Sequence, residues 1–332
     1  MKVRKKALGI GLDIGSSTIK LVKLKFTRDR VELFDFSLEP VQSNLAETLK
    51  NIKEAKGLQT VNVGVSGSST VIRCVSFPKM NALELRQALK FEAQKHIPFS
   101  LEEINLDGYI LQDDLPENKM LVLIAAVKKE LLSQRLKLIE DADLVANIVD
   151  IDSLALINAF NFNYSQDDNL KNKAITLLNI GSSVTNLNIL ENGILRLSRD
   201  IHIAGNNFTQ KLVDTLGIDF KSAEELKLNP DAKKAAKVTE AFESVVTSLT
   251  SEIRTSFDYY ESQSASSVAK IFLSGGGSRM IGLKDMLANF LGIEVEYWDP
   301  LKQIILSSDI DPQKIKALFS QFAVAVGLAL RS

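Results

Sequence analysis

The chain has 332 residues, of which 45% are hydrophobic and 24% charged, enough length for two or three sub-domains sharing a core. A formal net charge of −1 offers no basic excess to a nucleic acid, and two histidines (His96, His202) with one cysteine (Cys74) exclude an internal disulfide and argue against a zinc centre. No apolar run reaches the roughly 18 residues that span a bilayer, and Lys2, Arg4, Lys5 and Lys6 lead into a strand pattern rather than an apolar leader, so a cytoplasmic chain without membrane insertion is expected.

In chain order, strands are predicted near 7–14, 18–26 and 31–37, a helix near 43–56, and strands near 61–66 and 70–77, closed by Pro78. Residues 79–149 read as an insertion: a helix near 82–97 before Pro98, strands near 106–112 and 120–127, a helix near 128–142 and a strand near 144–149. A helix near 153–162 returns to the first unit. The second half opens with a strand at 174–180, then helices near 205–216 and 219–228. After the break at Asn229-Pro230 come a long helix near 234–262, a strand near 271–274, a helix from 283, and a last helix near 311–330. Lys233, Lys234 and Lys237 read as a solvated helix face. The stripe Leu318, Phe319, Phe322, Ala323, Val326 and Leu330 reads as core rather than as a membrane anchor, since neither a linker nor a basic face accompanies it.

One repeat organises this order. Gly11-Leu-Asp-Ile-Gly-Ser-Ser-Thr-Ile-Lys-Leu-Val-Lys-Leu24 returns as Leu177-Leu-Asn-Ile-Gly-Ser-Ser-Val-Thr-Asn-Leu-Asn-Ile-Leu190, identical at seven of fourteen positions and offset by 166, half the chain. Each copy is a strand, an Ile-Gly-Ser-Ser turn and a second strand. Such a turn can offer N–H and hydroxyl donors to phosphate oxygens. Asp13, just before the first turn, supplies a carboxylate for hydrated Mg²⁺. A third element, Ile271-Phe-Leu-Ser-Gly-Gly-Gly-Ser278, is a strand ending in three glycines, against which a base or ribose could lie.

These three motifs, in this order, resemble those of the actin, sugar-kinase and heat-shock ATPase superfamily. Within it, Gly11–Lys20, the stretch Phe91-Glu-Ala-Gln-Lys-His-Ile-Pro-Phe-Ser100 and the ending Phe322–Arg331 resemble the PilM family of type IV pilus assembly proteins, itself similar to the division protein FtsA. The resemblance implies a duplicated actin-like (ribonuclease H-like) α/β fold. A first unit would take 1–78, 150–173 and 312–332, an inserted sub-domain 79–149, and a second unit 174–311. It implies ATP and Mg²⁺, with phosphate contacts from Gly15, Ser16, Ser17, Lys20, Gly181, Ser182 and Thr185 and the metal on Asp13. Glu224 and Lys227 would meet ribose and adenine, and Gly275, Gly276 and Gly277 would line the adenosine; the plain alternative for Glu224 and Lys227 is a solvated i,i+3 pair.

The resemblance also implies a partner, the N-terminal cytoplasmic tail of PilN, together with other pilus assembly proteins, self-association, and attachment at the inner membrane through them. Phe91, Ile97 and Phe99 are candidates for the tail's groove or equally for ordinary core. One departure matters: where the superfamily's second turn begins with aspartate, this chain has Asn179, a poor base, so weak ATPase activity at most is expected. Competing readings are a sugar-kinase-like phosphotransferase using Asp150 or Asp152 as base, an FtsA-like filament protein, and the cytoplasmic component of type II secretion.

Overall fold

A computed structural model describes residues 8–230 and 234–331; Lys2, Arg4, Lys5, Lys6 and Lys233 lie outside the described residues. The chain starts with a meander of β1 (Leu8–Ile14), β2 (Thr18–Phe26) and β3 (Val31–Pro40), followed by α1 (Leu45–Lys56) and β4 (Thr60–Val65). Next come β5 (Thr70–Pro78), α2 (Ala82–Ala93), β6 (Ile104–Leu115) and β7 (Lys119–Lys128), then α3 (Lys129–Asp141), β8 (Val145–Ile151) and α4 (Asp152–Tyr164). The second half holds β9 (Ala174–Ile180), β10 (Thr185–Glu191), β11 (Ile194–Ile201), α5 (Gly205–Leu216), α6 (Phe220–Leu228) and α7 (Ala235–Gln263). It ends with β12 (Val268–Ser274), α8 (Leu283–Leu291), β13 (Glu294–Tyr297), β14 (Ile305–Leu306), α9 (Pro312–Leu318) and α10 (Ala323–Leu330).

The sequence repeat is a repeat of topology. Among the described residues one sheet runs β14-β3-β2-β1-β4-β8 and another β11-β10-β9-β12-β13. In each, an antiparallel meander is extended by two parallel strands, β4 and β8 beside β1, β12 and β13 beside β9. Parallel neighbours need helical crossovers, which supplies the alternating strands and helices of both halves.

The third sheet, β5-β7-β6, corrects the expected borders of the insertion. Strand β5, expected in the first unit, pairs along its length with β7. Strand β8 and helix α3, expected in the insertion, belong to the first unit: β8 pairs in parallel with β4, and Ile139 packs with Leu49 and Ile52 of α1. Helix α2 stops at Ala93, four residues early, and gives way to a turn in which the Lys95 and His96 N–H groups donate to the carbonyls of Glu92 and Ala93. Strand β7 alternates between two cores. Met120, Val122, Ile124 and Ala126 face α2, with Ile97 and Phe99 in the same cluster, while Leu123, Ala125 and Val127 face the first unit.

The expected single helix at 311–330 is broken by a 3₁₀ turn at Phe319–Gln321. The break frees the Ser320 carbonyl to accept the Gly275 N–H at 2.8 Å, a bond it would otherwise give to the helix residue four positions on. Beyond it, α10 is buried from Ala323 through Ala329, as the core reading of the stripe requires. Val324, Val326 and Leu328 each contribute about 1.5–3 kcal/mol by leaving water. The helix lies against bare backbone on two sides: a Cβ at Gly11 would sit 2.0 Å from the Ala325 carbonyl oxygen, and one at Gly327 would sit 1.7 Å from that of Ala155 in α4. Among the described residues no helix is long and apolar enough to cross a membrane.

A candidate nucleotide cleft between two repeated turns

The two Ile-Gly-Ser-Ser turns are built alike. Gly15 N–H donates to the Thr18 carbonyl at 3.1 Å, and Gly181 N–H donates to the Val184 carbonyl at 3.0 Å. A Cβ would lie 2.9 Å from Thr18 O in the first turn and 2.8 Å from Val184 O in the second, so close approach demands glycine at both. The turns face each other across the cleft. The Ser16 hydroxyl lies 2.6 Å from that of Ser182 and 2.7 Å from that of Ser183, so three hydroxyls converge on one point. Ser183 was not among the expected contacts, although the repeat aligns it with Ser17.

Behind each turn the same register position carries a different pair. Asp13 stands opposite Lys20 on β1 and β2, and the two form an ion pair at 3.1 Å. Asn179 stands opposite Asn186 on β9 and β10, and its Nδ2 donates to Asn186 Oδ1 at 3.1 Å. The second copy thus replaces the ion pair by an amide pair. Asn179 Oδ1 also accepts from the Ser274 hydroxyl, so both ends of the amide are used, which an ionised aspartate could not do. Asn186 in turn donates to Asp200, which accepts the Gly67 N–H at 3.1 Å and so ties the second unit to the β4–β5 connection of the first.

Asp152, named above only for a competing reading, opens α4 inside this cleft. Its Oδ1 would stand 2.0 Å from a Cβ at Gly64, so β4 carries glycine where the carboxyl lies on it. Burial, then the negative charge of Asp13, push the Asp152 carboxyl up to about 7, against the opposing pull of its Ser66 hydrogen bond. A carboxyl that keeps its proton above its ordinary value of 3.8 stabilises the fold fully below that value. The contribution is lost as pH rises through about 7. Asp152→Asn cannot ionise, so it should match wild type near pH 4 and exceed it by a few kcal/mol near pH 8 in thermal unfolding followed across that range. Parallel profiles for the two proteins would show that Asp152 does not titrate as described. Asp150, the other candidate base, is held by Arg331 at 2.5 and 3.1 Å away from the turns.

The second unit forms the remaining walls. Helix α5 starts against the second turn, with the Gly205 and Asn206 N–H groups donating to the carbonyls of Gly181 and Ser182. Lys227 is 3% exposed and donates to Gly205 O, Thr209 Oγ1 and Glu224 Oε2 at 3.2, 2.8 and 2.6 Å. The i,i+3 pair of the plain alternative therefore exists, with Lys227 buried behind the start of α5 and the Glu224 side chain still 42% exposed. Thr185 is fully buried and donates to the Ile203 carbonyl at 2.7 Å, which turns its hydroxyl away from the Ser16 side of the cleft. Gly275 (φ 91°) needs glycine for its left-handed backbone, and a Cβ at Gly277 would lie 2.6 Å from Gly181 O, so the triple-glycine loop is pressed against the second turn. Gly276 faces Gln321 of the 3₁₀ turn.

These residues fit a magnesium nucleotide. Hydroxyls from both turns converge, and the Lys20 ammonium stands 3.0 Å from the Cβ position that Gly15 leaves open. Among the described residues no group of three or more Asp, Glu, His or Cys side chains converges as a metal cage. Mg²⁺ takes one or two carboxylates and fills its shell with phosphate oxygens and water, and Asp13 stands just before the first turn to supply one. A cavity of about 210 Å³ lies between the β4–β5 connection and strands β10 and β11, lined by Ser66, Gly67, Asn186, Asp200 and His202 among others.

Comparison with known proteins agrees with this architecture. The family model described as type IV pilus assembly protein PilM matches residues 11–332. The solved structure of a PilM–PilN type IV pilus biogenesis complex is similar over 99% of both chains, with TM-score 0.86 and 26% identity. The ethanolamine utilization protein EutJ from Carboxydothermus hydrogenoformans shares the fold, with TM-score 0.57 and 14% identity over 98% of this chain and 90% of its own. The chaperone protein dnaK of Cyanophora paradoxa is 32% identical over 93 residues, 26% of this chain but 15% of that protein. The chain thus spans only a small part of the length of that curated relative. The fold is the actin-like ATPase fold, and the chain belongs to the family of type IV pilus assembly proteins PilM.

Proposed function

We propose that this chain is an ATP-holding scaffold of the type IV pilus machinery that binds the N-terminal tail of PilN. The convergence of Ser16 with Ser182 and Ser183, backed by the Asp13–Lys20 pair, carries the nucleotide part. Gly15, Ser16, Ser17, Lys20, Gly181 and Ser182 would hold the phosphates, Asp13 the Mg²⁺, and Gly275, Gly276 and Gly277 the adenosine. Glu224 would reach the ribose, while Lys227 fixes the start of α5 beside it. Bound Mg²⁺ would offset phosphate charge. The chain's own part is to aim donors at the phosphates. Asn179 offers no base at the second turn, so the site is read as one that holds nucleotide and turns it over slowly at most.

The tail has a groove of suitable form. A cavity of about 790 Å³ lies between β6 and β7 of the insertion and β8 and α4 of the first unit, with Tyr109, Leu123, Leu154 and Leu195 among its lining. β6 and β8 each end their sheet, so each offers unpaired backbone to an extended peptide, with apolar pockets for alternate side chains. Phe91, Ile97 and Phe99 do not line it: Ile97 and Phe99 pack in the insertion's own core, and Phe91 points to solvent. Attachment at the inner membrane would follow from this partner. The test is fluorescence anisotropy with a labelled PilN tail peptide. Tyr109→Glu, at an exposed position of the lining, should weaken binding roughly tenfold or more with nucleotide affinity unchanged. An unaltered tail affinity would move the groove elsewhere.

A further inference from the structure

One cation near the cleft has no evident task. Arg135 projects from α3, and its Nη1 is buried without a hydrogen-bond partner. Asp152 and Asp13 are close enough for their charges to act on the guanidinium, yet neither is bonded to it. Burial lowers the guanidinium's hold on its proton, and the two carboxylates only partly restore it. A buried donor left unmatched costs stability, and a bound ligand is one thing that completes such a group.

The position narrows the ligand. The adenosine walls belong to the second unit, the two turns meet in the middle, and Asp13 and Asp152 close the first unit's side. Asp13, and Asp152 once it is ionised, would repel the far end of a nucleotide unless cations balance them. Lys20 balances Asp13 at 3.1 Å, and Arg135 is the second cation placed to do so. A guanidinium also presents a planar fork of N–H groups that matches two phosphate oxygens, which an ammonium does not. We propose that Arg135 contacts the terminal phosphate of a nucleoside triphosphate and so distinguishes triphosphate from diphosphate. This rests on the nucleotide reading given above.

The experiment is competition of ATP and of ADP against a fluorescent ADP analogue, with Mg²⁺, on the full chain. Arg135→Ala should lower ATP affinity about ten- to a hundredfold, the scale of a charge-assisted hydrogen bond, while ADP affinity changes less than about threefold. Arg135→Lys, which keeps the charge without the fork, should fall between; it decides alone if Arg135→Ala does not fold. Equal losses for ATP and ADP would mean that Arg135 only supports the fold, and unchanged ATP affinity would mean that it touches no phosphate; either overturns the proposal. Wild-type protein that binds neither nucleotide overturns the nucleotide reading as well, which separates the two failures.

Discussion

Gly327→Val is expected to abolish the stable fold of the first unit. The added Cβ would meet the Ala155 carbonyl oxygen at 1.7 Å and its carbon at 2.4 Å, and both are backbone atoms that cannot rotate away. Nor can α10 retreat: on its other side Gly9 and Gly11 of β1 already touch the carbonyls of Ala329 and Ala325, where their own Cβ atoms would stand 2.0 Å away. Relief therefore requires α10 to leave β1 or α4, exposing the buried run Ala323–Ala329. A loss of at least about 4 kcal/mol is expected, a large share of the 5–15 kcal/mol that typically holds a domain. Denaturant unfolding measures it, and a loss below about 1 kcal/mol would mean that α10 does not pack as described.

The second large effect concerns ligand rather than fold. Asp13→Ala should weaken Mg·ATP binding by roughly ten- to a hundredfold, because it removes the carboxylate nearest the first turn. In the absence of Mg²⁺ the same substitution should leave ATP affinity unchanged or raised, since Lys20 loses its 3.1 Å partner and becomes free for phosphate. The stability loss should stay on the order of 2 kcal/mol, from an ion pair that is only partly exposed. The contrast between the two metal conditions is the informative part. Loss of equal size with and without Mg²⁺ would assign Asp13 to shaping the turn rather than to the metal.

Much of this was legible in the chain because the fold is a duplication and the duplication survives in local sequence. The offset of 166 between Gly15 and Gly181 announced two like turns. The same offset maps Lys20 onto Asn186, so the exchange of an ion pair for an amide pair could have been read beside the departure at Asn179. What was hidden depends on contacts far apart in sequence. Strands β5 and β8 have similar apolar patterns, and only their pairing partners assign them to different sheets. Thr185 aligns with the turn's donors, but β10 is a buried strand there and the Ile203 carbonyl claims its hydroxyl. Asp152 and Arg135 are ordinary residues of helical stretches until α3 and α4 converge over the end of β4. The break at Phe319–Gln321 likewise follows from the Gly275 N–H, supplied by a distant loop.

Calorimetric titration of Mg·ATP into the purified chain is the most direct test of the cleft. Saturable binding with one nucleotide per duplicated fold, accompanied by slow turnover or none, is the result expected of the two facing turns. The absence of any saturable heat or thermal stabilisation at millimolar Mg·ATP would contradict it.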